Sequence, residues 1–105
     1  MIDAARVRTF RTEYPDIVDQ LLDLFLQSTP PLLAELRAAV DGGDSEALRR
    51  AAHKLKGSCQ NIGATVMAAL CHALETGEGD AGATLAGLDA AFLGTEVALR
   101  RALTA

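Results

Sequence analysis

Tryptophan is absent from this chain, and aromatic residues make up only 4% of it. Sheets draw heavily on aromatic and β-branched side chains. Their scarcity here, beside abundant Ala and Leu, points to closely packed helices and away from a sheet. No apolar run approaches the roughly 20 residues that span a bilayer. The N-terminus lacks the basic region and apolar segment of a secretion signal. The two cysteines, Cys59 and Cys71, show no C-x-x-C spacing. They are expected as small core or boundary residues and not as a disulfide. Together these absences predict a cytoplasmic protein without a membrane segment. No Gly-rich phosphate loop is present, and 105 residues leave no room for a kinase domain. ATP-dependent phosphorylation is therefore excluded from the expected activities.

A surplus of positive charge is also missing. The formal net charge is −4, which argues against nucleic-acid binding. The distribution is nonetheless uneven. Arg49, Arg50, Lys54 and Lys56 crowd one segment, while acids gather between Glu13 and Asp23 and between Glu75 and Asp89. A local cationic patch on an acidic chain suits an acidic partner site or a phosphoryl group.

What the chain does contain is helical periodicity, without repeats or low-complexity segments. The pattern predicts five helices in one domain over residues 1–105. The first covers about Asp3 to Arg11, with Val7 and Phe10 as apolar contacts. Pro15 fits the first turn of the second helix, whose stripe is Val18, Leu21, Leu22 and Phe25 and continues at Leu33, Leu36 and Val40. Pro30-Pro31 predicts a kink or brief break there. Gly42-Gly43 ends that helix, and Asp44 caps the third. Gly63 terminates the third. The fourth runs from about Ala64 to Thr76 and buries Val66, Met67, Leu70 and Leu74. The fifth presents Leu85, Leu88, Phe92, Leu99 and Leu103 on one side. Four long helices with short connections predict an all-α antiparallel up-down four-helix bundle with a short extra N-terminal helix.

The third helix carries the chemistry. Leu48, Ala51, Ala52, Leu55, Cys59 and Ile62 follow the i, i+3, i+4, i+7 pattern of a buried stripe. At about 100° per residue they fall within about 50° of one direction, with His53 roughly 140° and Gly57 about 180° away. Arg49, Lys56 and Gln60 fill the sector between His53 and the core edge, and Arg50 lies just beyond Gly57. An imidazole in water among cations is poorly explained by packing. Gly57 sharpens the point, because a mid-helix Gly costs about 1 kcal/mol relative to Ala. Its missing side chain clears an approach to the ring. A lone surface histidine would imply nothing; exposure, neighbouring cations, an amide and a glycine one turn on imply an accessible nucleophile.

His53-Lys54-Leu55-Lys56-Gly57-Ser58, followed by Asn61-Ile62-Gly63-Ala64, resembles the H-x-L-K-G-S…N-[IL]-G-A signature of histidine phosphotransfer (HPt) domains. Leu24-Phe25-Leu26 to Thr29-Pro30, then Leu33 and Leu36, is similar to the family's second helix. Gly43 to Leu48 is similar to its entry into the active-site helix. The resemblance covers residues from about 16 to 76 and reaches the last third only as a generic helix.

The resemblance implies a phosphocarrier that accepts a phosphoryl group from a receiver-domain aspartate onto His53 and passes it to a second receiver. The expected partners are receiver domains of a hybrid sensor kinase and of a response regulator. The receiver would supply Mg²⁺, and no cofactor or metal would be held by this chain. Lys56 is expected to attract phosphoryl oxygens, with Arg49, Arg50, Lys54, Gly57 and Gln60 in the docking surface. The family's fourth helix commonly carries an acid or amide that bonds the non-reacting nitrogen of the active histidine; the matching position is Glu75. The fold is usually monomeric, while a small number of relatives dimerise through helices, and a monomer is expected. His72, one turn before Glu75, reads as an ordinary surface residue, and a metal site from His53, Cys71 and His72 is rejected for want of ligand spacing.

Two rival classes carry different signals. Phosphoacceptor regions of sensor kinases typically carry an acid directly after the histidine and a proline soon after; here Lys54 follows, and residues 54–64 contain no Pro. A phosphate-independent helical adaptor is the alternative. It is distinguished by transfer from a phosphorylated receiver and by the effect of His53→Ala on partner binding.

Overall fold

The structure, a computed structural model, describes residues 2–104, with side chains through Ala102. Five helices follow in order: α1 (Ala4–Glu13), α2 (Val18–Asp41), α3 (Ser45–Ile62), α4 (Thr65–Thr76) and α5 (Ala81–Thr104). No strand occurs among the described residues. Helices α2 to α5 form the bundle. Helix α3 packs on α2 and α4, and α5 packs on the same two, so α3 and α5 lie on opposite corners. Helix α1 packs along α5.

Helices α1, α3 and α4 start or stop where the chain offers a chemical reason. Asp3 and Asp44 cap α1 and α3, their Oδ1 atoms accepting from Arg6 N (3.1 Å) and Ala47 N (3.0 Å). Helix α3 stops at Gly63, whose φ of 81° is left-handed, a conformation glycine adopts without the Cβ penalty. Ala64 N then donates to Cys59 O at 2.8 Å and closes the end. The N-terminal segment is tied to this corner, with Asp3 N donating to Gly63 O at 2.7 Å and Arg6 Nε to Asn61 O at 3.0 Å. Gly77, at φ 76°, ends α4 in the same manner.

The core is Leu and Ala with few aromatics. Leu36, Ala52, Leu55, Met67, Leu88 and Leu99 have no exposed surface. Phe25 meets Phe92 edge-on at 6.1 Å. Cys59 and Cys71 are both buried and unpaired as thiols. A hydrogen bond with the Cys71 thiol, and then burial, push the Cys59 thiol up, so neither burial nor charge favours a reactive thiolate.

Several expectations are corrected. Of the kink or brief break expected at Pro30-Pro31, no break occurs: α2 continues through both prolines, whose rings are exposed. Solvent leaves room for them, while Thr29 Oγ1 donates to Phe25 O at 2.6 Å in the turn they disturb. Pro15 lies in the turn before α2, which begins at Val18. Val66 is 39% exposed, and Cys71 takes the core position instead; the α4 stripe is Met67, Cys71 and Leu74. Leu103 lies outside the residues whose side chains are described. Ala81–Ala102, although interrupted by charges, reaches a mean hydropathy of 1.2 and is long enough to cross a bilayer by composition. Here its Leu85, Leu88, Ala91 and Leu99 are buried against other helices.

Candidate functional site

The α3–α4 hairpin sets the level of the site. His53 lies ten residues before Gly63 and Glu75 eleven after Ala64, so each is about 15–16 Å from the turn at 1.5 Å per residue. Antiparallel packing therefore brings them side by side. His53 Nδ1 is 2.9 Å from Glu75 Oε1, and Lys56 Nζ is 2.6 Å from Glu75 Oε2. The His53 side chain is 69% exposed, whereas Lys56 and Glu75 are only 18% and 19% exposed. One carboxylate thus bridges an exposed imidazole and a largely covered ammonium.

Electrostatics fix which proton goes where. Glu75 lies in the last turn of α4, where the helix dipole disfavours negative charge. The Lys56 ammonium, and then the His53 ring, hold its carboxyl below the usual carboxylate range. As an ionised carboxylate it only accepts hydrogen bonds. In the neutral His53 ring the hydrogen then resides on Nδ1, which leaves Nε2 with its lone pair free. A ring so polarised is a nitrogen nucleophile able to take up an electrophilic group. The positive charge that develops on it faces Glu75.

The surroundings of the ring are open. A Cβ built on Gly57 meets nothing within 4 Å, so the clearance one turn from His53 is real space. Lys54 and Gln60 are exposed. Arg49 and Arg50 share one acid, Glu46, at 2.5 and 3.8 Å, so part of the cationic patch is locally neutralised. His72 is exposed on α4, and its carbonyl accepts from Thr76 Oγ1 at 2.9 Å. Cys71 is buried whereas both histidines are exposed, and among the described residues no three His, Cys, Asp or Glu side chains converge as metal ligands.

Two features were not foreseen from the sequence. Lys56 is engaged by Glu75, a link that joins the two residues expected to act separately. An apolar groove of about 130 Å³ also opens between α1, α2 and α3, lined by buried Val18, Phe25 and Ile62 and by exposed Leu24 and Asn61. Its sequence signal was Leu24, an apolar residue beside, and not on, the buried α2 stripe.

A five-helix chain with a solvent-exposed histidine on one helix and an orienting carboxylate on the next defines a histidine-bearing helical bundle. The family model described as "Hpt domain" matches residues 20–105. The chain belongs to the Hpt family, whose members are phosphocarriers in phosphorelays. The match reaches through α5, beyond the resemblance drawn from motifs. The chain is 43% identical over 58 residues to the sensor protein TorS of Escherichia coli (strain K12), covering 55% of this chain. It spans only 6% of the length of that relative. Its fold matches the crystal structure of histidine-containing phosphotransfer protein B (HptB) from Pseudomonas aeruginosa PAO1 with a TM-score of 0.90, at 27% identity. That match covers 98% of this chain and 94% of the other.

Proposed function

We propose that His53 is the phosphorylated residue of a phosphorelay intermediate, accepting from one receiver domain and donating to another. The observation that carries this reading is the 69% exposed ring held at Nδ1 by Glu75. Nε2 of the neutral ring attacks the phosphorus of an aspartyl phosphate in line. The N–P bond forms as the P–O bond to the aspartate breaks, and the aspartate leaves as a carboxylate. The imidazolium that results keeps its hydrogen bond to Glu75, which offsets the new positive charge. Reversal onto a second aspartate completes the transfer.

Lys56, drawn beside the ring by Glu75, offers the phosphoryl oxygens a cation on a flexible stem. Lys54, Gly57 and Gln60 surround the approach, and Arg49 and Arg50 extend the basic edge. The apolar groove on the α2 side gives a receiver additional surface to cover. The receiver brings the Mg²⁺ and most of the catalytic groups, in a cytoplasmic setting. No nucleotide is consumed by this chain itself.

The test is incubation with a labelled phosphorylated receiver domain, followed by acid and alkali treatment. Label lost in acid and stable in alkali, and absent from His53→Gln, is the expected result. Equal labelling of His53→Gln, or no labelling with partner binding unchanged in His53→Ala, overturns the proposal and leaves an adaptor.

A further inference from the structure

Helix α5 has two apolar faces, and only one is used by the bundle. Leu85, Leu88, Ala91 and Leu99 point into the core. On the opposite side Ala83, Ala86, Ala90, Leu93 and Val97 are all exposed, Leu93 by 67% and Val97 by 50%. Their spacings are 3, 4, 3 and 4 residues, the alternation of a coiled-coil seam. Scattered exposed apolar residues are normal on any protein; five in register along about 21 Å of one helix are a stripe. Gly87 and Gly94 border it and add no side chain of their own to that flank, where Leu70 of α4 would stand 3.9 Å from a Cβ at Gly87.

We infer that this face pairs with the same face of a second copy, the two α5 helices running antiparallel about Ala90. Three observations select the occupant and the direction. First, size: residues whose numbers sum to about 180 come together, so Ala83 meets Val97 and Ala86 meets Leu93 of the other copy. Every large residue then faces a small one, whereas a parallel pair would stack Leu on Leu and leave the alanine end loose. Second, charge: the same register places Arg101 of one copy over Glu78 and Asp80 of the other, at both ends. A parallel pair would set these like charges together. Third, antiparallel helix dipoles attract. Asp89 lies close to the two-fold axis, but Arg37 of its own copy is bonded to it, so the axis does not gather unpaired acids.

Because α3 occupies the corner opposite α5, the pair leaves both His53 rings open. A contact along one helix pair is smaller than the roughly 1,600 Å² of a standard stable interface, which places the dimer among weak, reversible ones. The expected monomer is then the dilute state of the protein.

Sedimentation velocity on the full chain, from about 10 μM to about 1 mM, reads this directly. Wild type shifts from monomer to dimer across that range. Leu93→Glu stays monomeric with unchanged helical circular dichroism. Arg101→Glu weakens the dimer, and Glu78→Arg added to it restores the affinity. Ala90→Cys forms a disulfide-linked dimer on air oxidation and Ala83→Cys does not. A wild type that remains monomeric throughout, including one that binds anionic lipid vesicles through α5, overturns the inference. So do a dimer indifferent to Leu93→Glu and a pattern in which Ala83→Cys crosslinks as readily as Ala90→Cys.

Discussion

Glu75 accepts from His53 across the α3–α4 groove, Nδ1 to Oε1 at 2.9 Å, over a separation of 22 residues in sequence. The bond ties the tautomer of an exposed ring to the ionisation of a largely covered acid. Since the ring is otherwise in water, replacing it disturbs little packing. His53→Gln is expected to abolish phosphoryl acceptance while shifting Tm by less than about 4 °C, as surface substitutions do. A thermal melt beside a transfer assay checks both. A large loss of stability would mean that the ring is a structural element, against its 69% exposure.

Glu75→Ala removes the acceptor but leaves His53 in place. Both ring tautomers then become populated, and the charge on a phosphorylated ring loses its counterpart. Transfer should slow by about tenfold to a hundredfold, the loss that follows removal of the partner orienting a metal-binding imidazole. Nitrogen chemical shifts of the ring separate this effect from simple destabilisation. They should report an Nδ1–H tautomer in the wild type and a mixture in the variant. Unchanged shifts together with an unchanged rate would reduce Glu75 to a surface acid.

The same carboxylate gives the site a pH dependence with a defined sign. Lys56, and then His53, hold the Glu75 carboxyl below its usual range. A group depressed in the folded state contributes stability above its unfolded pKa and loses it as pH falls through the folded value. The His53–Glu75 bond should therefore persist through the ordinary carboxylate range and fail only in stronger acid. In Lys56→Met the Glu75 titration should move upward, because its larger stabilising partner has gone. Carbon-detected titration of the Glu75 carboxyl follows this directly. A midpoint that does not move in Lys56→Met would show that the 2.6 Å ion pair has no influence on the acid.

Much of this fold and site was legible in the residues because local rules governed them. The α3 stripe, the Asp44 cap and the left-handed stop at Gly63 each follow from neighbours within a turn, and each is present. The exposure of His53 follows from the same wheel. Glu75 needed more than local rules: its position opposite His53 depends on the hairpin, and the family signature supplied the pairing. What escaped the sequence was long-range. The Lys56–Glu75 ion pair joins two helices, and Val66 is left outside because α4 rotates Cys71 inward against Cys59. The unbroken path of α2 through two prolines also escaped, since tertiary packing on both sides of the interruption overrides the local penalty.

That override is measurable. Pro30 and Pro31 cannot donate to Leu26 O and Gln27 O, and an interior proline costs about 3 kcal/mol or more in an unsupported helix. Both are exposed, so replacing either removes no buried contact. Pro31→Ala should raise stability by about 1–2 kcal/mol, less than the full penalty because the unfolded chain also gains freedom. Urea denaturation gives the difference. A destabilised variant would show that the proline ring fixes the path of α2 in a way its exposure conceals.

Gly57 supplies the sharpest separation of stability from function. Nothing lies within 4 Å of a Cβ at this position, and its backbone is ordinary helix. Gly57→Leu should therefore stabilise the helix by about 0.5–1 kcal/mol through propensity alone. The same side chain would stand one turn from His53, in the space an incoming acyl phosphate and its protein must cross. Receiver docking should weaken and transfer should fall, while labelling of His53 by small phosphodonors in solution should be unchanged. Measuring Tm, receiver affinity and transfer rate on one variant distinguishes the outcomes. A more stable protein with slower transfer places the glycine in the docking surface. A more stable protein that transfers normally would mean that the approach to His53 lies elsewhere, on the Lys56 and Gln60 side of the ring.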